Sequence, residues 1–228
     1  MSERQQIPLA LRREPVIAVL RAPTPADYAP VIEALHAGGV TQVEVTLSTP
    51  GTLDHLAALA ARCPAETVIG VGTVTTPEQA ERAIAEGAAY LVTPTTDHAV
   101  IGAALAHGVP VFPGGLTPTE LHSAWQRGVA AVKVFPASRV GPGYLADLRG
   151  PFPGIEVIPS GGVTADDALA WLAAGACAVS VGGPLVRDAF AGGSLAALTA
   201  RARELTSRIA DAGFGVARDG GAVSGVTK

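Results

Sequence analysis

Short apolar runs rich in β-branched residues alternate along this chain with alanine-rich stretches whose apolar positions recur at helical spacing. Eight such runs stand out, at residues 16–20, 42–47, 67–71, 89–92, 109–112, 130–135, 155–158 and 178–181. A turn signal and then a helical pattern follow each one, which is the signature of parallel strands joined by crossover helices. The helix ends are legible. Thr76-Pro77 and Thr117-Pro118 each put a capping hydroxyl before a proline, and Glu86-Gly87 and Arg127-Gly128 supply glycine stops. Thr164 opens another helix with Asp166 and Asp167 near its positive end, and Ala174-Gly175 closes it. Eight units at this spacing predict a single-domain α/β fold, a closed (β/α)8 TIM barrel, in preference to an open doubly wound sheet. The barrel is expected over residues 1–212; after a long helical pattern from Ser194 to Asp211 the periodicity is lost, and residues 213–228 are expected to form a flexible C-terminal tail.

Composition supports one folded unit. With 228 residues, 48% hydrophobic and 16% charged, the chain can bury a sizeable core. A net charge of −4 gives no basic footprint for nucleic acid, and no lysine-rich run suggests an anionic membrane, so small soluble molecules are the expected partners. Cys63 and Cys177 lie far apart without a CxxC pattern and read as inert thiols. Histidines 36, 55, 98, 107 and 122 show neither HxH nor HExxH spacing, so no metal site is expected. Residues 1–14 lack the long apolar segment of a signal peptide, and nothing approaches the roughly 18 apolar residues of a membrane span, which makes the cytoplasm the expected location.

The basic residues carry the chemical signal. Of the sixteen lysines and arginines only Lys133 and Lys228 are lysines, and Lys133 sits inside a strand-like run. A guanidinium holds its proton too tightly to act as a nucleophile, whereas a desolvated amine can lose it and attack a carbonyl. Strand alternation puts Gln42, Glu44 and Thr46 on one face and Val43, Val45 and Leu47 on the other, and it turns Lys133 inward between Val132 and Val134. Desolvation disfavours an ammonium while a nearby carboxylate favours it, so Lys133 and Glu44 could share a proton. Aldol cleavage of a 2-keto acid needs this pair of functions: an amine to make an iminium electron sink, and a base for the C4 hydroxyl proton. A buried structural ion pair is the alternative use of the same residues.

Further groups gather at the predicted C-terminal strand ends, where barrels present residues to ligand. Arg21 follows the first strand and suits a carboxylate. Thr73, in Gly70-Val71-Gly72-Thr73, offers a hydroxyl to substrate or to the catalytic carboxylate. Gly161-Gly162 and Gly182-Gly183 follow strands seven and eight and allow backbone N–H groups to approach a phosphate.

Taken in order, Val19-Leu20-Arg21-Ala22, Val43-Glu44-Val45-Thr46, Gly70-Val71-Gly72-Thr73-Val74, Thr93-Pro94, Thr117-Pro118-Thr119-Glu120, Val132-Lys133-Val134-Phe135-Pro136, Pro159-Ser160-Gly161-Gly162-Val163 and Val181-Gly182-Gly183 resemble one family. It is the 2-keto-3-deoxy-6-phosphogluconate (KDPG) aldolase family, which also holds the 2-keto-3-deoxy-6-phosphogalactonate and 4-hydroxy-2-oxoglutarate (KHG) aldolases. The resemblance runs over about residues 16–186. It implies a homotrimeric class I aldolase barrel that needs no cofactor, with Lys133 as the Schiff-base lysine and Glu44 as the general acid/base. It further implies Thr73 and Pro94 at the pyruvate pocket, Arg21 at the keto acid's carboxylate, and Ser160 with Gly161, Gly162, Gly182 and Gly183 at the phosphate end. Two positions depart from the pattern. Ser48 stands where some members have an arginine, and Gly183, followed by Pro184, replaces a frequent serine. The expected reaction is reversible cleavage of KDPG or its C4 epimer to pyruvate and D-glyceraldehyde 3-phosphate. Two rivals remain, cleavage of 4-hydroxy-2-oxoglutarate to pyruvate and glyoxylate, and a noncatalytic barrel that binds sugar phosphates.

Overall fold

The structure is a computed structural model that describes residues 4–215; residues 216–228 of the expected tail lie outside the described residues. Of the rest of that tail, Phe214 donates its N–H to the Ile209 carbonyl at 3.0 Å and packs against the core.

Nine strands alternate with ten helices among the described residues. The strands are β1 (Val16–Leu20), β2 (Gln42–Thr46), β3 (Val68–Gly72), β4 (Leu91–Val92), β5 (Val111–Phe112), β6 (Gly114–Gly115), β7 (Val132–Val134), β8 (Val157–Pro159) and β9 (Val179–Val181). The helices are α1 (Leu9–Arg13), α2 (Tyr28–Ala37), α3 (Thr52–Arg62), α4 (Pro77–Ala85), α5 (His98–Ala106), α6 (Pro118–Trp125), α7 (Gly143–Arg149), α8 (Ala165–Ala173), α9 (Gly183–Val186) and α10 (Leu195–Asp211). All eight expected strands are present, most trimmed at one end. The fifth, expected over 109–112, is β5; a further short strand, β6, which the sequence pattern did not mark, follows Pro113, which has no N–H to give to a ladder. Predicted caps operate: Thr76, Thr117 and Thr164 each accept an N–H from the third residue of their helix.

The strands form two parallel sheets. One has the order β5-β4-β3-β2-β1-β9 and the other β6-β7-β8. Backbone hydrogen bonds also run beside both breaks, from Lys133 N–H to the Pro113 carbonyl at 2.7 Å and from Cys177 N–H to the Val157 carbonyl at 3.1 Å. The architecture is α/β with helices over the outer face of the strands.

Alternation along the strands sorts the core into two clusters. Ala18, Leu20, Val43, Val45, Val71, Val132, Val134, Val157, Val179 and Val181 belong to the larger, with the helices. Ile17, Val92, Phe112, Ala131, Ile158 and Ala178 face the other way and join Tyr90. Burial of this second face is completed by a segment the strand pattern did not flag: Ile7 and Leu11 insert into the inner cluster. Two neighbours of Ile7 tie the segment down. Gln5 donates N–H to the Gly128 carbonyl at 2.9 Å, and the Arg4 guanidinium lies 3.4 Å from the Trp125 ring centroid. The inner face is therefore a mixed one, with an apolar cluster filled in part by the N-terminal segment and the buried polar residues Gln42 and Glu44 on β2. No described helix is long and apolar enough to cross a membrane.

Candidate active site

Two charged side chains occupy the inner face. Lys133 is 6% exposed in the middle of β7, between Val132 and Val134, which pack toward the helices. Its register neighbours are Gly114 on β6 and Ile158 on β8. Glu44 is 1% exposed in the middle of β2, paired in register with Val19 and Gly70. The alternation read from sequence thus put both groups on the face they occupy.

The two are not an ion pair. Among the described residues no carboxylate lies within salt-bridge distance of the Lys133 ammonium. Its nearest aromatic neighbour is Phe135, whose ring centroid lies 5.2 Å from Nζ. Glu44 Oε2 is buried without a hydrogen-bond partner. Buried polar atoms in native folds are almost always satisfied, so this carboxylate oxygen is free to take a proton or a hydrogen bond from a molecule that reaches it. The buried Lys133–Glu44 ion pair considered from sequence is absent from this arrangement.

Neighbouring glycines explain how a carboxylate fits inside the fold. A Cβ on Gly72 would overlap Glu44 Oε1, so the missing side chain on β3 is the slot into which the Glu44 carboxylate extends. Gly70, one inner-face position earlier, makes the same room for the Tyr90 ring. Tyr90 donates its hydroxyl to the Val43 carbonyl at 2.8 Å. Burial first, and the Glu44 carboxylate second, push its phenol well above the usual range, so it stays a protonated donor.

The remaining sequence candidates follow the C-terminal ends of the strands. Thr73 follows Gly72 with a φ of 62°, the left-handed region that a β-branched residue rarely adopts and that recurs at functional sites. Pro94 is half-buried at the end of β4, and its carbonyl lies against Gly114, the register neighbour of Lys133. Ser160, 4% exposed, and Gly161 are held against the segment after β7: their carbonyls accept from the Ala137 N–H at 2.7 Å and the Ser138 N–H at 3.1 Å. That ties the half-exposed loop through Gly162 to the lysine's strand. Gly182 and the exposed Gly183 open α9 at the end of β9, beside β1. Arg21 is exposed just past β1 and has no partner among the described residues.

A hydroxyl network fixes the loop that carries Arg21. Thr49 Oγ1 donates to the Ala22 carbonyl at 2.7 Å and accepts from the Tyr28 hydroxyl at 2.8 Å. Thr46 Oγ1 donates to the Leu20 carbonyl at 3.0 Å and lies 2.7 Å from Ser48 Oγ. Ser48 is thereby engaged in shape-keeping and brings no charge to the site.

Sequence reasoning missed Phe135, Gly72 and Tyr90 as parts of the site. Phe135 had a signal, since two residues after Lys133 is the same strand face. Gly72 and Tyr90 had none, because their roles depend on which strands become neighbours. Among the described residues no group of three or more His, Cys, Asp and Glu side chains could hold a metal ion.

A protein-family model for KDPG and KHG aldolase matches residues 7–200. The chain is 37% identical over 155 residues to the 2-dehydro-3-deoxy-phosphogluconate aldolase of Treponema pallidum, covering 68% of this chain and 73% of that protein. It is 34% identical over 174 residues to the 2-dehydro-3-deoxy-6-phosphogalactonate aldolase of Escherichia coli, covering 76% and 85%. Among solved structures, the KDPG aldolase of Legionella pneumophila with pyruvate captured as a covalent carbinolamine superposes with a TM-score of 0.79 at 29% identity, covering 86% of this chain and 96% of that one.

Proposed function

This chain belongs to the KDPG and KHG aldolase family, and from that premise we propose how its own residues perform a class I aldol cleavage. The substrate is KDPG or its C4 epimer, and the products are pyruvate and D-glyceraldehyde 3-phosphate. The observation that carries the residue assignment is the buried, unpaired Lys133 amine sharing a face with the orphaned Glu44 Oε2.

Lys133 Nζ adds to the C2 carbonyl of the keto acid to give a carbinolamine, and loss of water leaves an iminium. Glu44, directly or through water, takes the proton of the C4 hydroxyl. The C3–C4 electron pair moves into the iminium, the aldehyde departs, and an enamine of pyruvate remains on the lysine. Glu44 returns its proton toward C3, and water releases pyruvate and the free amine. The iminium is the electron sink, so the cycle needs no metal or organic cofactor. Phe135, beside Nζ, supplies a π face to the cationic intermediates. Arg21 serves the carboxylate, Thr73 and Pro94 line the pyruvate end, and Ser160, Gly161, Gly162, Gly182 and Gly183 line the phosphate end.

The finer architecture belongs to the same proposal. The hydrogen bonds beside both sheet breaks support reading the two sheets as one closed (β/α)8 barrel, with β5 and β6 as a single interrupted strand. That barrel would extend to residue 212, in a cytoplasmic homotrimer as the family resemblance implies.

A second reading, cleavage of 4-hydroxy-2-oxoglutarate to pyruvate and glyoxylate, is favoured by Gly183 and Pro184, neither of which offers a side-chain donor. Pyruvate release coupled to lactate dehydrogenase separates the two. The main reading predicts a kcat/KM for KDPG or its epimer at least about tenfold above that for 4-hydroxy-2-oxoglutarate, and a loss of kcat of about 10²- to 10⁴-fold in Glu44→Gln. Preference for the shorter substrate would replace it with the second reading. Pyruvate bound without turnover of any of these substrates would leave a noncatalytic binding barrel.

A further inference from the structure

A cavity of about 450 Å³ lies between the C-terminal ends of β1 and β9, lined by Val19, Arg21, Gly183, Val186, Arg187 and Phe190 among others. Val19 forms its inner wall. Val19 shares the inner face with Ile17, since Ala18 and Leu20 turn to the helices, and it is the register partner of Glu44. The cavity therefore begins one strand away from the carboxylate expected to move the proton.

Its charge is one-sided. Among the described residues two guanidiniums line it and no acidic residue does. Arg62, Arg82, Arg149 and Arg208 are paired with carboxylates, whereas the guanidiniums of Arg21 and Arg187 have neither an ion-pair nor a hydrogen-bond partner among the described residues. Arg187 also holds a φ of 50°, a conformation that is strained for a residue with a side chain. A glycine there would relieve that strain, and the chain has an arginine instead.

The anions to be matched number two. A 2-keto-3-deoxy sugar acid phosphate carries a carboxylate at one end and a phosphoryl group at the other. With Arg21 at the carboxylate, Arg187 is the remaining cation on the cavity. It also stands four residues past Gly183, at the loop where the side-chain donor expected for phosphate is missing. A guanidinium presents a fork of N–H donors that matches a phosphoryl group in bidentate fashion, which a lone hydroxyl cannot. We propose that Arg187 is a specificity-determining residue that grips the substrate's phosphoryl group, taking over the work of the absent serine. This inference rests on the aldolase reading and adds to it a reason for phosphate selectivity.

Steady-state kinetics of the full-length enzyme and its Arg187→Ala and Arg187→Lys variants test it, with KDPG compared against the same sugar acid lacking phosphate. Loss of a charge-assisted bidentate contact predicts a fall in kcat/KM for KDPG of about 10- to 100-fold in Arg187→Ala, mainly through KM. The dephosphorylated substrate should change less than about twofold, and Arg187→Lys should recover part of the loss. Inorganic phosphate should inhibit the unmodified enzyme competitively and Arg187→Ala more weakly. An equal fall with both substrates, or a KDPG value within about twofold of the unmodified enzyme, overturns the role of Arg187. In either of those outcomes borohydride still traps pyruvate on every variant; a failure to trap it on the unmodified enzyme would instead overturn the aldolase reading beneath.

Discussion

Glu44 can stand inside the fold because Gly72 does not have a side chain, and this makes Gly72 the sharpest test of how the site is built. In Gly72→Ala the new methyl group and Glu44 Oε1 compete for one volume. The carboxylate must turn away, so pyruvate-releasing kcat should fall at least about 100-fold, the range expected for losing a general acid/base. Trapping of pyruvate on Lys133 should survive, since the amine lies on another strand. A variant with unimpaired turnover would show that Glu44 needs no such slot. What could be read from the chain at this scale followed period-two alternation: it put Lys133 and Glu44 on the inner face before any strand neighbours were known. It could not reveal Gly72 under Glu44 or Arg187 across from Arg21, because those meetings depend on strand register and on loops separated by long stretches of chain.

At the scale of elements, caps and turn residues were the most legible signals, since their chemistry is completed within four residues. In α6 the Thr117 hydroxyl accepts from the Glu120 N–H, while the Glu120 carboxylate accepts from the N–H groups of Thr117 at 2.8 Å and Leu116 at 2.9 Å. These donors, Thr117 first, hold the Glu120 carboxyl below its usual range. A group whose folded value is depressed stabilises the fold above its unfolded value, about 4.3 for Glu, and loses that effect as pH falls through the folded value. Thr117→Ala should cost about 1 kcal/mol at pH 7. The stability gap between the unmodified protein and Glu120→Gln should narrow as urea melts are taken from pH 7 down through pH 4; a gap that widens would contradict the sign. Less legible were β6, after Pro113, and the short α1. β6 comes after the run at 109–112 had ended, with only two glycines and no β-branched residue to mark it, and α1 has a single buried residue, Leu11, too few to make a period.

Across the whole molecule, the division of labour is between an outer core that packs helices on strands and an inner face whose apolar cluster is completed by the N-terminal segment. The thiols belong to packing in this scheme. Burial, with Glu156 nearby, pushes Cys177 up to about 12, and burial raises Cys63 as well. Neither is nucleophilic at neutral pH, so a chromogenic disulfide reagent should react slowly with the native protein and release two thiols rapidly once it is unfolded. Fast labelling of the folded protein would show that this packing is looser than described. The fold as a class was readable because every β/α unit carries the same pattern; the gathering of inner-face groups from β2, β3 and β7 was not, since it exists only once the sheets are assembled. The central claim is that one secluded amine forms an imine with pyruvate. Borohydride reduction in the presence of pyruvate, followed by peptide mass spectrometry, tests it most directly: the account predicts one three-carbon adduct per chain on the peptide containing Lys133 and none in Lys133→Arg. An adduct elsewhere, or one that persists in that variant, would contradict it.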